Sequence, residues 1–152
     1  MRRAVVVPAT ALLLLACQGK REGEAPPPPS PARTLADFAG TWESVSRLEG
    51  VPDSVVSRFS GPAAEVGWLL MLPDRDPIPM RVWIQEDSLI AVSQKYPSLL
   101  RPGVMVQVRT SGVLRDSLIQ GIVLATYDSS AGQQVVRGSF SARRVPADTA
   151  RP

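Results

Sequence analysis

From Thr34 to Val145 the chain has a period-two character, the pattern of strands whose successive side chains face opposite sides of a sheet. Val104, Val106 and Val108 alternate with Met105, Gln107 and Arg109, which sends the valines inward and the long or polar groups outward. Leu118, Gln120, Ile122, Leu124 and Thr126 oppose Ile119, Gly121, Val123, Ala125 and Tyr127, a run apolar on both faces that suits a central strand. Further strands are predicted over 40–48, 66–72, 79–86, 89–94 and 134–144, the last with Val136, Gly138, Phe140 and Ala142 on one side. Asp53 to Phe59 reads differently. Asp53 is placed to cap a short helix, near 53–59, with Val55, Val56 and Phe59 on one face.

The breaks between runs carry turn chemistry. Asp87-Ser88-Leu89-Ile90 echoes Asp116-Ser117-Leu118-Ile119, and both tetrads stand where one apolar run stops and the next starts. Aspartate and serine side chains bond back to their own backbone and bend the chain, so hairpins are predicted at both places and a third between Asp128 and Gly132. The expected class is therefore all-β, a small antiparallel meander of about seven or eight strands. Such a sheet must hide its edges. Closing into a barrel removes them, and a two-sheet sandwich is the alternative.

The amino end follows another pattern. Arg2 and Arg3 precede an apolar run from Ala4 to Ala16, too short to span a bilayer that needs about 20 residues. This is the layout of an export signal. Residues Leu14-Leu15-Ala16-Cys17 resemble the lipobox of bacterial lipoproteins, which implies cleavage before Cys17 and acylation of its thiol, with palmitate-type chains held in a membrane. Each buried methylene contributes about 0.8 kcal/mol, so several chains on one cysteine hold a protein firmly. Residues 18–33, QGKREGEAPPPPSPAR, are charged and proline-rich and cannot bury a core; an extended spacer is expected. The layout is thus a signal peptide over 1–16, a lipidated Cys17 with its tether over 17–33, a β domain over 34–145 and a disordered tail over 146–152. Gln18 replaces the aspartate that retains some Gram-negative lipoproteins at the inner membrane. By that analogy the expected address is the cell envelope, at the periplasmic face of an outer membrane.

A second resemblance lies in the β domain. Phe38-Ala39-Gly40-Thr41-Trp42 resembles the opening strand of the lipocalin and fatty-acid-binding group, and Phe140-Ser141-Ala142-Arg143-Arg144-Val145 resembles its closing strand. The resemblance implies a lipocalin-like barrel closed at its base by Trp42 stacked with Arg143 or Arg144, a cation–π contact of about 0.5–2 kcal/mol. It departs from the fatty-acid-binding proteins in having too few strands and no tyrosine beside the final arginines to complete a carboxylate-binding pair. Trp68 and Trp83 are candidates to pack the core or line a cavity. Tyr96-Pro97-Ser98-Leu99-Leu100-Arg101-Pro102-Gly103 is the most distinctive loop. It is either a portal, with Tyr96 and Leu99 touching ligand or partner, or a rigid connection clamped over the barrel end by Leu99 and Leu100.

Composition removes several chemistries. The 152 residues contain no histidine, which excludes a Ser-His-Asp triad, a histidine-ligated zinc and a histidine general base. The single cysteine permits no internal disulfide. Loss of Arg2 and Arg3 with the leader lowers the formal charge from +3 to about +1, and the basic residues neither cluster nor interleave with aromatics, so nucleic acid is not an expected partner. Asp74 with Asp76, and Glu86 with Asp87, read as solvated loop carboxylates, and Ser93 with Lys95 lacks any supporting hydrolase pattern. No enzyme, metal or cofactor is expected. Two roles remain: an anchored barrel that binds an apolar small molecule or lipid, or an envelope module that contacts a protein partner and takes no ligand.

Overall fold

The computed structural model describes residues 32–146, so the leader, Cys17, most of the tether and the tail after Pro146 lie outside the described residues. The described chain opens with one helical turn, α1 (Leu35–Phe38). Nine strands follow: β1 (Gly40–Leu48), β2 (Ser54–Gly61), β3 (Trp68–Met71), β4 (Ile78–Gln85), β5 (Ser88–Ser93), β6 (Tyr96–Pro97), β7 (Met105–Arg115), β8 (Leu118–Ser129) and β9 (Gly132–Arg144). Consecutive strands from β1 to β5 and from β7 to β9 pair antiparallel; β5 bonds β7 and β1 bonds β9. Eight strands thereby close an up-and-down barrel. The two-residue β6 continues the β5 side of β7, pairing Tyr96 with Val106 and Pro97 with Met105.

The expected helix near 53–59 is a strand. Val55 and Val56 are β-branched and stiff at χ1, which favours the extended backbone, and eight β2 residues pair in register with β1 from Gly40↔Gly61 to Arg47↔Ser54. Burial alternates accordingly: Ser57 and Phe59 are buried while Val56 and Arg58 are exposed. The one helix lies earlier, where the Asp37 carboxylate accepts hydrogen bonds from the Thr34 backbone N–H at 2.7 Å and from its hydroxyl at 3.2 Å. Those bonds, the backbone one first, hold the Asp37 carboxyl below its usual pKa.

The hairpins turn where the sequence places them. Gln85 pairs with Ser88 and Arg115 with Leu118, leaving two-residue loops in which Glu86 and Asp116 adopt left-handed φ values of 55° and 54°. Aspartate tolerates that region better than most side chains, which accounts for Asp116. The β8–β9 reversal brackets residues 130–131 and is tied by Ser129 Oγ donating to the Gly132 carbonyl at 2.8 Å.

One end of the barrel is packed solid. Phe38, Trp42, Phe59 and Trp68 form an aromatic floor, with Trp42 and Phe59 stacked at 6.3 Å between centroids and Phe59 tilted against Trp68 at 6.3 Å. Both indole N–H groups are satisfied by backbone: Trp42 donates to Phe38 O and Trp68 to Ala64 O, each at 2.7 Å. Gly61 is what lets Trp68 lie flat on β2, because a Cβ there would stand 2.2 Å from the indole ring. Val82, Leu114, Ile119 and Ala142 belong to the same core, which continues into the cavity wall through Leu89, Val123 and Phe140. The helical turn caps it from below through the buried Phe38 and through Leu35.

Candidate functional site

Above the aromatic floor the barrel is not filled. A cavity with about 90 Å³ of room for the centre of a water-sized sphere occupies the half nearer the β5–β7 connection. Apolar side chains from most of the barrel form its wall, among them Phe59, Leu70, Met80, Leu89, Val123 and Phe140. Its size holds a few waters or one slim molecule, and is well below the roughly 300–1,000 Å³ that encloses a drug-sized ligand.

Hydroxyls interrupt this wall. Ser44 and Ser57 are register partners on β1 and β2, 4% and 9% exposed, and both face the cavity with Ser46 one step further along β1. Thr110 on β7 faces them from across the barrel, three strands round from β1 and four from β2. Ser93 also lines the space, but its Oγ already accepts the Val108 N–H at 3.0 Å. Ser44, Ser57 and the buried Tyr127 have no hydrogen-bond partner for their hydroxyls among the described residues. Among the described residues no fully enclosed side-chain oxygen lacks a partner, so these hydroxyls open onto the cavity, where whatever occupies the space can bond them.

The segment after β5 roofs this end. Ser98 is its pivot: its backbone N–H donates to Val104 O at 2.8 Å, and its Oγ accepts from the N–H groups of Leu100 and Arg101 at 3.1 and 3.0 Å. Three side-chain ties hold the roof to the wall. Lys95 pairs with Asp128 at 2.6 Å, Arg101 donates to Gln134 at 2.6 Å while lying 4.1 Å over the Tyr127 ring, and Arg75 donates to the Pro97 carbonyl. Leu100 packs against the core, whereas Leu99 lines the cavity yet remains 41% exposed. A side chain in contact with both sides marks the mouth. Burial, then the neighbouring Tyr127, pushes the Tyr96 phenol up to about 12 despite the opposing charge of Arg75.

The candidate residues separate into three places. Trp42 and Arg144 meet at the floor: the guanidinium lies 4.4 Å over the indole, donates to Asp37 O at 2.7 Å and also bonds Ala39 O, thereby tying β9 to the helical turn. Arg143 takes no part. It is exposed and stands opposite Glu43 and Leu118. Trp68 belongs to the floor and does not line the cavity, and Trp83 is on the outside of β4, half-buried beneath Arg109 at 5.4 Å. Tyr96 and Leu99 do line the cavity. Cys17 lies outside the described residues. The loop acids Asp74 and Asp76 flank Arg75 in a shallow groove on the outer surface, and Ser93 is divided from Lys95 by the barrel wall, inside against outside.

The sequence reading missed the serine wall, although its signal was present. Ser44 and Ser46 follow Trp42 at alternate positions of β1, and Ser57 precedes Phe59 at the same spacing on β2, so all five side chains share the interior face. Polar inward positions read as outward ones when only hydrophobicity is followed. Among the described residues no group of acidic or cysteine side chains is gathered to hold a metal ion, and no helix is long and apolar enough to cross a membrane. No family model, no curated protein and no solved structure matches this chain.

Proposed function

We propose that this protein is an exported lipoprotein, anchored through acylated Cys17, whose barrel carries a small apolar molecule at the envelope. The observation that carries the binding role is the apolar cavity above a packed floor, roofed by a short loop with Leu99 at its mouth. Closed eight-stranded barrels have interiors of a size that side chains either fill or leave open for one small ligand. Here the lower half is filled and the upper half is left open. The anchoring role is supported by Arg2, Arg3, the apolar run and Leu14-Leu15-Ala16-Cys17.

Two measurements test the two parts. Mass spectrometry of the protein purified from its native membrane is expected to give an amino terminus at Cys17 carrying diacylglycerol; an intact Met1 or a free thiol refutes the anchor. Solvent extraction of the same preparation, followed by displacement of a small fluorescent apolar probe, is expected to show one saturable site per chain. Failure of any probe or extract to bind favours the second role, an envelope module that meets a partner through the exposed Leu99.

A further inference from the structure

Among the described residues the cavity wall holds no Lys, Arg, Asp or Glu, and its only ionisable groups are the phenols of Tyr96 and Tyr127. The Tyr96 phenol stays protonated at neutral pH, since burial raises its pKa to about 12. The two arginines near the roof are already engaged, Arg101 on Gln134 and the Tyr127 ring and Arg75 on the Pro97 carbonyl, and neither lines the cavity. A carboxylate drawn below the roof would lose its hydration and meet no cation in the wall, a steep penalty for a charged head group there.

The cavity does offer hydroxyls. Ser44 and Ser57 lie side by side on adjacent strands, both more than nine-tenths buried, both facing the cavity and both without a protein partner among the described residues. A hydroxyl donates one hydrogen bond and accepts up to two, so this pair recognises an uncharged oxygen of either polarity. It sits immediately above the apolar floor, with Phe59 and Val55 flanking Ser57 on β2 and Ser46 as the next inward residue on β1. We infer that the guest is an uncharged amphiphile, a slim alkyl chain bearing a hydroxyl or carbonyl oxygen that bonds Ser44 and Ser57 while the chain lies against Leu70, Leu89 and Val123. This inference rests on the ligand-carrying reading above and narrows it to one chemical class.

The test uses the full chain in lipid nanodiscs, with methyl groups of Leu89, Val123 and Ala125 observed by NMR so that occupancy inside the barrel is read separately from partition into lipid. The probes are 1-hexanol, hexanoate at pH 8 and n-hexane. 1-Hexanol is expected to bind at least about tenfold more tightly than hexanoate. Ser44→Ala with Ser57→Ala is expected to remove about three- to tenfold of the hexanol affinity, the worth of one neutral hydrogen bond, while leaving n-hexane binding the same or tighter. Unmoved methyl signals of Leu114 and Ile119 in the floor report that the variant is folded. Equal binding of hexanol and hexanoate, or a serine variant that weakens hexane as much as hexanol, overturns the inference but leaves ligand carriage standing. No shift of the cavity methyls with any probe overturns both.

Discussion

Replacing Arg144 by alanine removes the tie between the last strand, the barrel floor and the helical turn. The guanidinium makes one cation–π contact at 4.4 Å with Trp42 and bonds to the carbonyls of Asp37 and Ala39. The stack contributes about 0.5–2 kcal/mol, nearer the lower end here because Arg144 is exposed to solvent. The carbonyl bonds together add about 1–2 kcal/mol after the same allowance for competing water. Arg144→Ala is therefore expected to cost about 1.5–3 kcal/mol. Arg144→Lys, which keeps the charge but not the planar fork, is expected to recover about half of that. Arg143→Ala is the internal control. Its side chain is exposed, so a change within about 0.5 kcal/mol is expected. The assay is urea unfolding of the full chain followed by tryptophan fluorescence, with the slope unchanged and only the midpoint moved. Equal midpoint shifts for the two alanine variants, or a shift for Arg144→Ala below about 0.5 kcal/mol, refute the assignment of Arg144 as the closing residue.

The same structure sets further outcomes. Ala91→Leu projects three carbons into the cavity, so apolar probe binding is expected to fall by at least tenfold while stability changes by less than about 1 kcal/mol; unaltered binding would place the ligand elsewhere. Gly121→Ala puts a Cβ 1.9 Å from the Ser111 carbonyl oxygen and 2.6 Å from Gly112 Cα, and about 2–3 kcal/mol of lost stability is expected in urea titration. The Asp128 carboxyl is held below its ordinary value of 3.8 by hydrogen bonds from Lys95 first and Gln133 second. Its contribution is accordingly present above that value and lost as pH falls through the lower, folded one. Amide protection across 94–104, taken relative to the intrinsic exchange rate at each pH, is expected to fall only in that acidic window, and Lys95→Ala to reduce that fall. For Tyr96 the sign is opposite. A phenol raised to about 12 stabilises the fold below pH 10 and ceases to do so as pH climbs towards 12, and Tyr96→Phe is expected to flatten that alkaline loss in a fluorescence-monitored titration.

The strands that proved legible are those whose interior face is hydrocarbon. Val106, Val108, Ile119, Val123, Ala125, Phe140 and Ala142 all alternate with outward positions, and β7, β8 and β9 follow from them. β2 failed for the opposite reason. Ser57 is inward and Val56 outward, so its pattern of hydrophobicity is inverted at the centre, and the spacing of Val55, Val56 and Phe59 then imitates a helical face. The inversion and the cavity have one cause, since an inward serine fills less space than the valine or leucine that would otherwise close the upper half. Arg144 over Arg143 was undecidable from order alone. Register decides it, because Arg144 falls opposite Trp42 and Arg143 opposite Glu43. Trp68 and Trp83 were equally open, and pleat parity sends the first inward to the floor and the second outward.

The central claim, a guest held inside the barrel above the aromatic floor, is tested most directly by isotope-filtered NOEs between bound 1-hexanol and the labelled protein. Contacts from its methylenes to Leu70, Leu89 and Val123 are expected. Contacts confined to outward side chains such as Met105, Ile122 and Val135 would contradict it.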